Sequence, residues 1–327
     1  MTDSFYSVLN ERALTAAAAL LIHVALAGPR PLLRLLRIDR PSAAFAAALR
    51  ALERKLNRAA RAPEQRALRG ALLVALLAGL ALLAGALAHA LFGRWHEASL
   101  AEAAALAALL GLRQQTGMAR SIAARLEEGN ITLAREELAG SAWRNAAVLD
   151  AHALMRAAVE TSTLSVCERV IAPLFWYLAL GLPGAALVRA ATAVSGATFH
   201  ARDYFGRAAE WLQAGLQFIP SVLTELFFLL AAALFPYTRP VAGMQALLIS
   251  AALPFRMRLL TVAGALLNLS LGGPLSPYAQ VRTGTPPWLG GVMARAMPRD
   301  ARRAGLLIWG SVLIALIGLL ALGFFPA

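Results

Sequence analysis

Cysteine occurs once in the 327 residues, at Cys167, so no disulfide can form within the chain. Charge is scarce as well: 15% of the residues are Asp, Glu, Lys or Arg, against about 25% in soluble domains. Acids are the scarcer sign, 18 against 31 bases, which leaves a formal net charge of +13. The motifs of soluble enzymes are missing. No Gly-x-x-x-x-Gly-Lys-Ser/Thr loop is there to cradle a nucleotide phosphate, and neither His-Glu-x-x-His nor Gly-x-Ser-x-Gly occurs. His23, His89, His96, His152 and His200 have no metal-ligand spacing with Cys167 or with carboxylates, so no metal site is expected.

Apolar residues are abundant instead, at 59% of the chain. Hydrophobic residues beyond what one core can use need another solvent, and the charge-free runs point to the bilayer. Gly70–Gly93 and Ala304–Ala327 are each 24 residues long and Leu259–Val281 is 23. A helix rises 1.5 Å per residue, so about 20 residues cross a hydrocarbon core of about 30 Å. Ala13–Pro29 and Val170–Val188 are shorter candidates, the latter interrupted by Gly181, Pro183 and Gly184. Leu226–Thr238 and Pro240–Phe255 are too short to cross alone and read as a hairpin or as helices buried among others. Asp3 and Glu11 precede the first run with Arg12 as its only base, which suits a retained helix better than a secretory signal. The fold class expected is therefore all-α: a polytopic helical membrane protein forming a single membrane domain over residues 1–327. Its expected spans are 13–29, 70–93, 170–188, 259–281 and 304–327.

The positive charge has a location. Between Arg30 and Arg69 stand 11 Lys or Arg residues against Asp39, Glu53 and Glu64. Basic loops beside spans mark the cytoplasmic side, so no nucleic-acid partner is expected. Arg50, Arg54, Lys55, Arg58 and Arg61 recur at helical spacing among alanines and leucines, the pattern of an amphipathic helix on anionic headgroups. From Arg113 to Arg169 charges alternate with apolar residues at helical spacing, and Gly129-Asn130 reads as a helix stop and restart. That stretch, 113–169, is expected to be a charged helical layer.

A family resemblance is carried by Arg156-Ala-Ala-Val-Glu160, by Val170-Ile-Ala-Pro-Leu-Phe-Trp176 and by Gly181-Leu-Pro-Gly-Ala-Ala-Leu187. Further matches follow in order: Ala27-Gly-Pro-Arg30, Leu52-Glu53, Ile219-Pro220, Gly272-Gly-Pro274, Pro287-Trp-Leu-Gly290, and Pro298-Arg-Asp300 with Arg303-Ala304. Together they resemble the CobD/CbiB family, membrane-bound adenosylcobinamide-phosphate synthases of cobalamin biosynthesis. The resemblance implies ATP and Mg²⁺ as requirements, a corrinoid as substrate, and an amide bond formed between an amino alcohol phosphate and a corrin carboxylate. It also implies a multi-pass protein of the bacterial inner membrane.

Several family acids are replaced. The early Asp is Gly28, the His-Pro-Val motif is Arg40-Pro41-Ser42, and Gly-Arg-Asp-Thr is Trp143-Arg144-Asn145-Ala146. Ser-x-Ala-Glu-Asn reads Thr161-Ser-Thr-Leu164-Ser165, with Glu168 a little further on. The Asp of the Asn-Thr-x-Asp-Ser run is Ser195, and the paired aspartates are Gln213 and Ala214. A Ser-Pro-Asn-Ala-Gly-Trp-Pro stretch is replaced by Ala252-Leu-Pro-Phe-Arg-Met-Arg258. Losing acids from one site weakens Mg²⁺ binding first. The surviving candidates for catalysis are Glu160, Arg156, Arg144 and Asp150, with Glu53 beside them. Arg156 and Glu160 stand at i,i+4, where an ordinary helical ion pair fits equally well. Two readings follow: an enzyme of the family type with a rebuilt site, or a catalytically degenerate paralogue. The second would serve as a membrane scaffold or an AmpE-like signalling protein, with a protein partner or a second copy of itself.

Overall fold

A computed structural model describes residues 2–25, 48–49, 51–58, 60–92, 98–139, 146–198, 204–279, 285–290 and 294–324. Among the described residues the protein is all-α apart from one pair of two-residue strands. Among the described residues, five helices are long and apolar enough to cross a membrane: Tyr6–Ala25, Pro63–Phe92, Ala151–Leu180, Arg207–Ala232 and Pro298–Phe324. The chain is a multi-pass membrane protein.

Its described residues form two compact units. The first holds Met1–Leu110, Ala172–Leu216 and Gly318–Ala327. Its helices are α1 (Thr2–Ala25), α2 (Pro63–Phe92), α3 (Ala98–Leu109), α7 (Ala172–Leu180) and α8 (Leu182–Thr198). Leu68, Leu72, Leu76, Leu80, Leu83, Leu87 and Leu91 recur every three or four residues along α2, and all are exposed. A leucine stripe of that length facing outward is stable against lipid tails and not against water. The opposite face uses glycine for close approach: a Cβ on Gly85 would lie 2.5 Å from Pro183 Cα, and one on Gly70 would overlap the Phe205 carbonyl. α7 and α8 are separated by Gly181, whose φ of 69° is open to glycine. The Arg12 guanidinium donates to the Leu178 and Ala179 carbonyls at 3.1 and 3.2 Å, satisfying the end of α7.

The second unit holds Gly111–Ile171 and Gln217–Ile317. It begins with α4 (Leu112–Glu127) and α5 (Ile131–Ala139), separated at Gly129-Asn130, where Gly129 has a φ of 75°. Both are amphipathic: Ala119, Ile122 and Ala123 on α4, and Ala134 and Leu138 on α5, are buried. Ser121 donates to Glu137 at 2.6 Å across the two helices. α6 (Ala151–Val166) runs through a π-helical turn, Cys167–Ile171. α9 (Arg207–Ala232), of which Gln217 onward lies in this unit, contains Pro220. Thr224 Oγ1 binds the Pro220 carbonyl at 2.7 Å, one of the local adjustments that let a membrane helix hold proline. α10 (Pro240–Ile249), α11 (Phe255–Leu267), strands β1 (Leu271–Gly272) and β2 (Trp288–Leu289), and α12 (Pro298–Phe324) follow.

Three expected segments come out differently. Leu259–Val281 does not form one continuous helix. α11 ends at Leu267, and Asn268 caps it in the left-handed region with a φ of 57°. Gly272 and Gly273, both at positive φ, then carry the chain into a tight loop. The run is apolar because every residue from Met257 to Leu267 is buried in protein. Val170–Val188 breaks at Gly181, and the helix long enough to cross starts earlier, at Ala151. Leu226–Thr238 is the apolar end of the 26-residue α9 up to Ala232, because Glu225 does not interrupt it. That carboxylate is paired inside the unit with Arg258. Within the basic loop, residues 51–56 are helical and Arg61 donates to the Leu56 carbonyl at 2.6 Å, while Arg50 lies outside the described residues. α3 has 12 residues and is too short to cross alone.

Candidate functional site

The polar centre of the second unit is built on α6. Asp150 starts that helix as its N-cap, with Oδ1 accepting from the Ala153 N–H at 2.7 Å. One and a half turns in, Arg156 and Glu160 share a face. Glu160 is fully buried. Its Oε1 accepts the Gly272 N–H at 2.7 Å and its Oε2 accepts the Ser276 hydroxyl at 2.5 Å. The carboxylate therefore clasps the loop that follows α11. Its contact with Arg156 is looser, Nε to Oε1 at 3.9 Å.

The loop is shaped for that clasp. Gly272 pairs with Trp288 and Leu271 with Leu289 in the antiparallel β1–β2 bridge. Gly273 has a φ of 81°, and a Cβ there would meet the Trp288 ring at 2.8 Å. The Ser276 N–H returns to the Gly273 carbonyl at 3.1 Å, which turns the hydroxyl toward Glu160. Above the clasp, the Arg156 guanidinium lies 4.8 Å from the centroid of the half-exposed Trp288 ring. Arg156 Nε has no hydrogen-bond partner among the described residues. A half-buried guanidinium held over an aromatic face suits an anionic or planar ligand.

Two further ion pairs surround this centre. Glu168, in the π-turn, accepts from Arg256 at 2.8 Å. Arg258 donates to Glu225 at 2.8 Å and to Ser221 at 2.6 Å, all three within the buried interior. Tyr278 bonds with Thr161, and burial pushes its phenol up to about 12, so it stays protonated and able to donate.

Of the residues singled out in the sequence, Arg156 and Glu160 come together around one loop. Asp150 serves the same helix as its cap. Arg144 lies outside the described residues, and Glu53 belongs to the other unit. Among the described residues, no three His, Cys, Asp or Glu side chains are placed to hold a metal ion. Glu160 already has a donor on each oxygen, so these residues do not fit a protein-held Mg²⁺.

Residues 16–308 match the sequence model of the family described as CobD/Cbib protein. The chain belongs to the CobD/Cbib family. It is similar to the cobalamin biosynthesis protein CobD of Chromobacterium violaceum, 33% identical over 124 residues, which are 37% of this chain and 40% of that protein. A Sinorhizobium protein of the same description is 31% identical over 149 residues, covering 45% and 46%. The CobD of Rhodobacter capsulatus is 30% identical over 223 residues, covering 65% and 68%. The matched stretch thus spans less than half the length of the first two relatives. No solved structure matches the chain.

Within this CobD/Cbib protein, sequence reasoning missed Ser276, Trp288, Tyr278, Arg256, Arg258 and Glu225 as members of the polar centre. One signal was available. A charge inside an apolar helix is by default functional or paired, and Glu225 stands in such a helix with arginines at 256 and 258 starting the next apolar run. Ser276 had no comparable signal, because its role depends on the turn at Gly272-Gly273.

Proposed function

We propose that this chain acts in cobalamin biosynthesis as one functional membrane domain over residues 1–327. In this reading it sits in a bacterial inner membrane and joins an amino alcohol phosphate to a carboxylate of adenosylcobyric acid at the expense of ATP. Family membership supports the reaction class. The observation that carries the site assignment is the Arg156 guanidinium, held over the ring of the half-exposed Trp288. In that role Arg156 steadies an anionic group of a substrate, and Glu160 is a positioning residue that fixes the 271–278 loop beneath it. ATP, a substrate of this reaction, would supply the activation of the carboxylate. The described residues offer guanidinium groups for its phosphates and no acid cluster for a metal ion.

A second reading has its own observation. Both Glu160 oxygens are occupied by the loop, and among the described residues no acid cluster could hold a metal ion, which suits a paralogue that keeps the scaffold and has lost the chemistry. The two separate in one experiment. Membranes containing the protein are incubated with ATP, Mg²⁺, adenosylcobyric acid and aminopropanol phosphate, and the corrinoid products are weighed by mass spectrometry. Formation of adenosylcobinamide phosphate supports the enzyme. Its absence, with the protein folded in the membrane and a working family member active in parallel, overturns it in favour of the paralogue.

A further inference from the structure

A second concentration of charge lies elsewhere in the same unit, at the start of α12. There a cavity of about 190 Å³ is lined by Arg239, Arg295, Arg299 and Arg303, with Asp300 as its one acid. Three segments bring the arginines together. Arg239 is set at the start of α10 by its N–H, which donates to the Leu266 carbonyl at 2.9 Å. Arg295 is placed by the chain that leaves β2, where the Ser270 N–H donates to the Ala294 carbonyl at 3.0 Å. Arg299 and Arg303 are one turn apart on α12.

Asp300 does not balance these charges. It is buried, and its Oδ2 accepts the Met297 N–H at 2.9 Å, closing the first turn of α12. Its Oδ1 meets Arg303 at 3.4 Å. One carboxylate already committed to a helix end stands against four guanidinium groups, so the lining keeps a charge of about +3. Arg239, Arg295 and Arg299 are exposed at the cavity rim, so the lining presents a focused positive potential that attracts an anion. Arg303 is held in place by the Tyr237 ring, 5.7 Å from its Cζ, and the Tyr237 hydroxyl donates to the Arg303 carbonyl at 3.4 Å. Asn268, which caps α11, also lines the cavity, and its buried side-chain oxygen has no hydrogen-bond partner among the described residues. An amide beside planar, fork-shaped cations offers a polar group to a ligand that also carries a hydroxyl or ammonium.

We propose that this cavity binds a phosphate group through Arg239, Arg295, Arg299 and Arg303. The volume takes a phosphomonoester or a diphosphate with a short polar tail, and the group has two possible sources, a soluble phosphorylated molecule or an anionic lipid headgroup. The site stands whether or not the chain forms an amide bond. Binding without turnover keeps the site and removes the reaction, and turnover without loss in the arginine variants does the reverse.

The test uses the full chain in nanodiscs of phosphatidylcholine alone, titrated with pyrophosphate and with O-phosphoethanolamine by calorimetry. A parallel arm uses nanodiscs containing phosphatidylglycerol, with native mass spectrometry after release. Arg239→Gln/Arg299→Gln is compared with the wild type and with Arg239→Lys/Arg299→Lys, and unliganded melting temperatures check that each variant is folded. Saturable phosphate binding that weakens at least about tenfold in the Gln pair, partly recovers in the Lys pair and falls with added salt is the expected result. Retention of phosphatidylglycerol by the wild type and not by the Gln pair, without soluble binding, assigns the same site to a lipid source. Neither binding nor lipid retention in the folded wild type, or equal binding in the Gln pair, overturns the proposal.

Discussion

The two units solve burial in different ways. In the first, the buried polar residues among those described are Thr15, Thr192, Ser195 and Gln213, all neutral, and the helices meet through alanine, glycine and leucine. In the second, Glu160, Glu225, Arg258 and Asp300 are all buried. Burying a charge is costly unless it is paired and hydrogen-bonded, so an interior that holds four is maintained for something other than stability. The first unit is packed from apolar and neutral side chains, and the second keeps charge in its interior.

The largest expected effects test that contrast from the charged side. Arg258→Met leaves Glu225 buried without its cation and is expected to lower unfolding free energy by about 3–5 kcal/mol. Arg258→Met combined with Glu225→Met recovers most of it, because an apolar pair of similar volume replaces the ion pair. Denaturant unfolding in mild detergent, read as a double-mutant cycle, measures both. A harmless single variant would erase the distinction between the units. Glu160→Ala strands the Gly272 N–H, the Ser276 hydroxyl and Arg156 together, with an expected loss of similar size in the same assay.

Smaller changes sharpen the comparison. Gly273→Ala forces a side chain into a φ of 81° against the Trp288 ring, and about 1–3 kcal/mol is expected, with altered tryptophan fluorescence as a second readout. Asp150→Ala removes the cap of α6 and is expected to cost about 1 kcal/mol in the same unfolding assay. In the first unit, Leu76→Ala on the exposed stripe of α2 is expected to change stability by no more than about 0.5 kcal/mol. A spin label at that position is expected to be relaxed by oxygen and not by a water-soluble nickel complex.

Much of the fold was legible because the bilayer imposes it. The helices of Gly70–Gly93 and Ala304–Ala327 announce themselves through length without charge. The reading failed where charge-counting stood in for burial. Glu225 split α9 on paper because its partner Arg258 is 33 residues away, and the apolar 259–281 run resembles a span because protein interior and lipid select the same side chains. The π-turn at Cys167–Ile171 has no sequence signature at all. At the site, the spacing of Arg156 and Glu160 placed both on one helix face and left a local ion pair and a catalytic role equally open. The stronger bonds run to Gly272 and Ser276, more than a hundred residues on, and become visible only once the Gly272-Gly273 turn is built.

The most direct measurement is adenosylcobinamide phosphate formation by Arg156→Ala beside the wild type, in membranes with matched amounts of folded protein. Product from the wild type, with at least about a hundredfold less from the variant at unchanged melting temperature, is the predicted result. Equal product from both, or none from either while a working family member is active, contradicts the assignment of Arg156 and Trp288 as the working face of an enzyme.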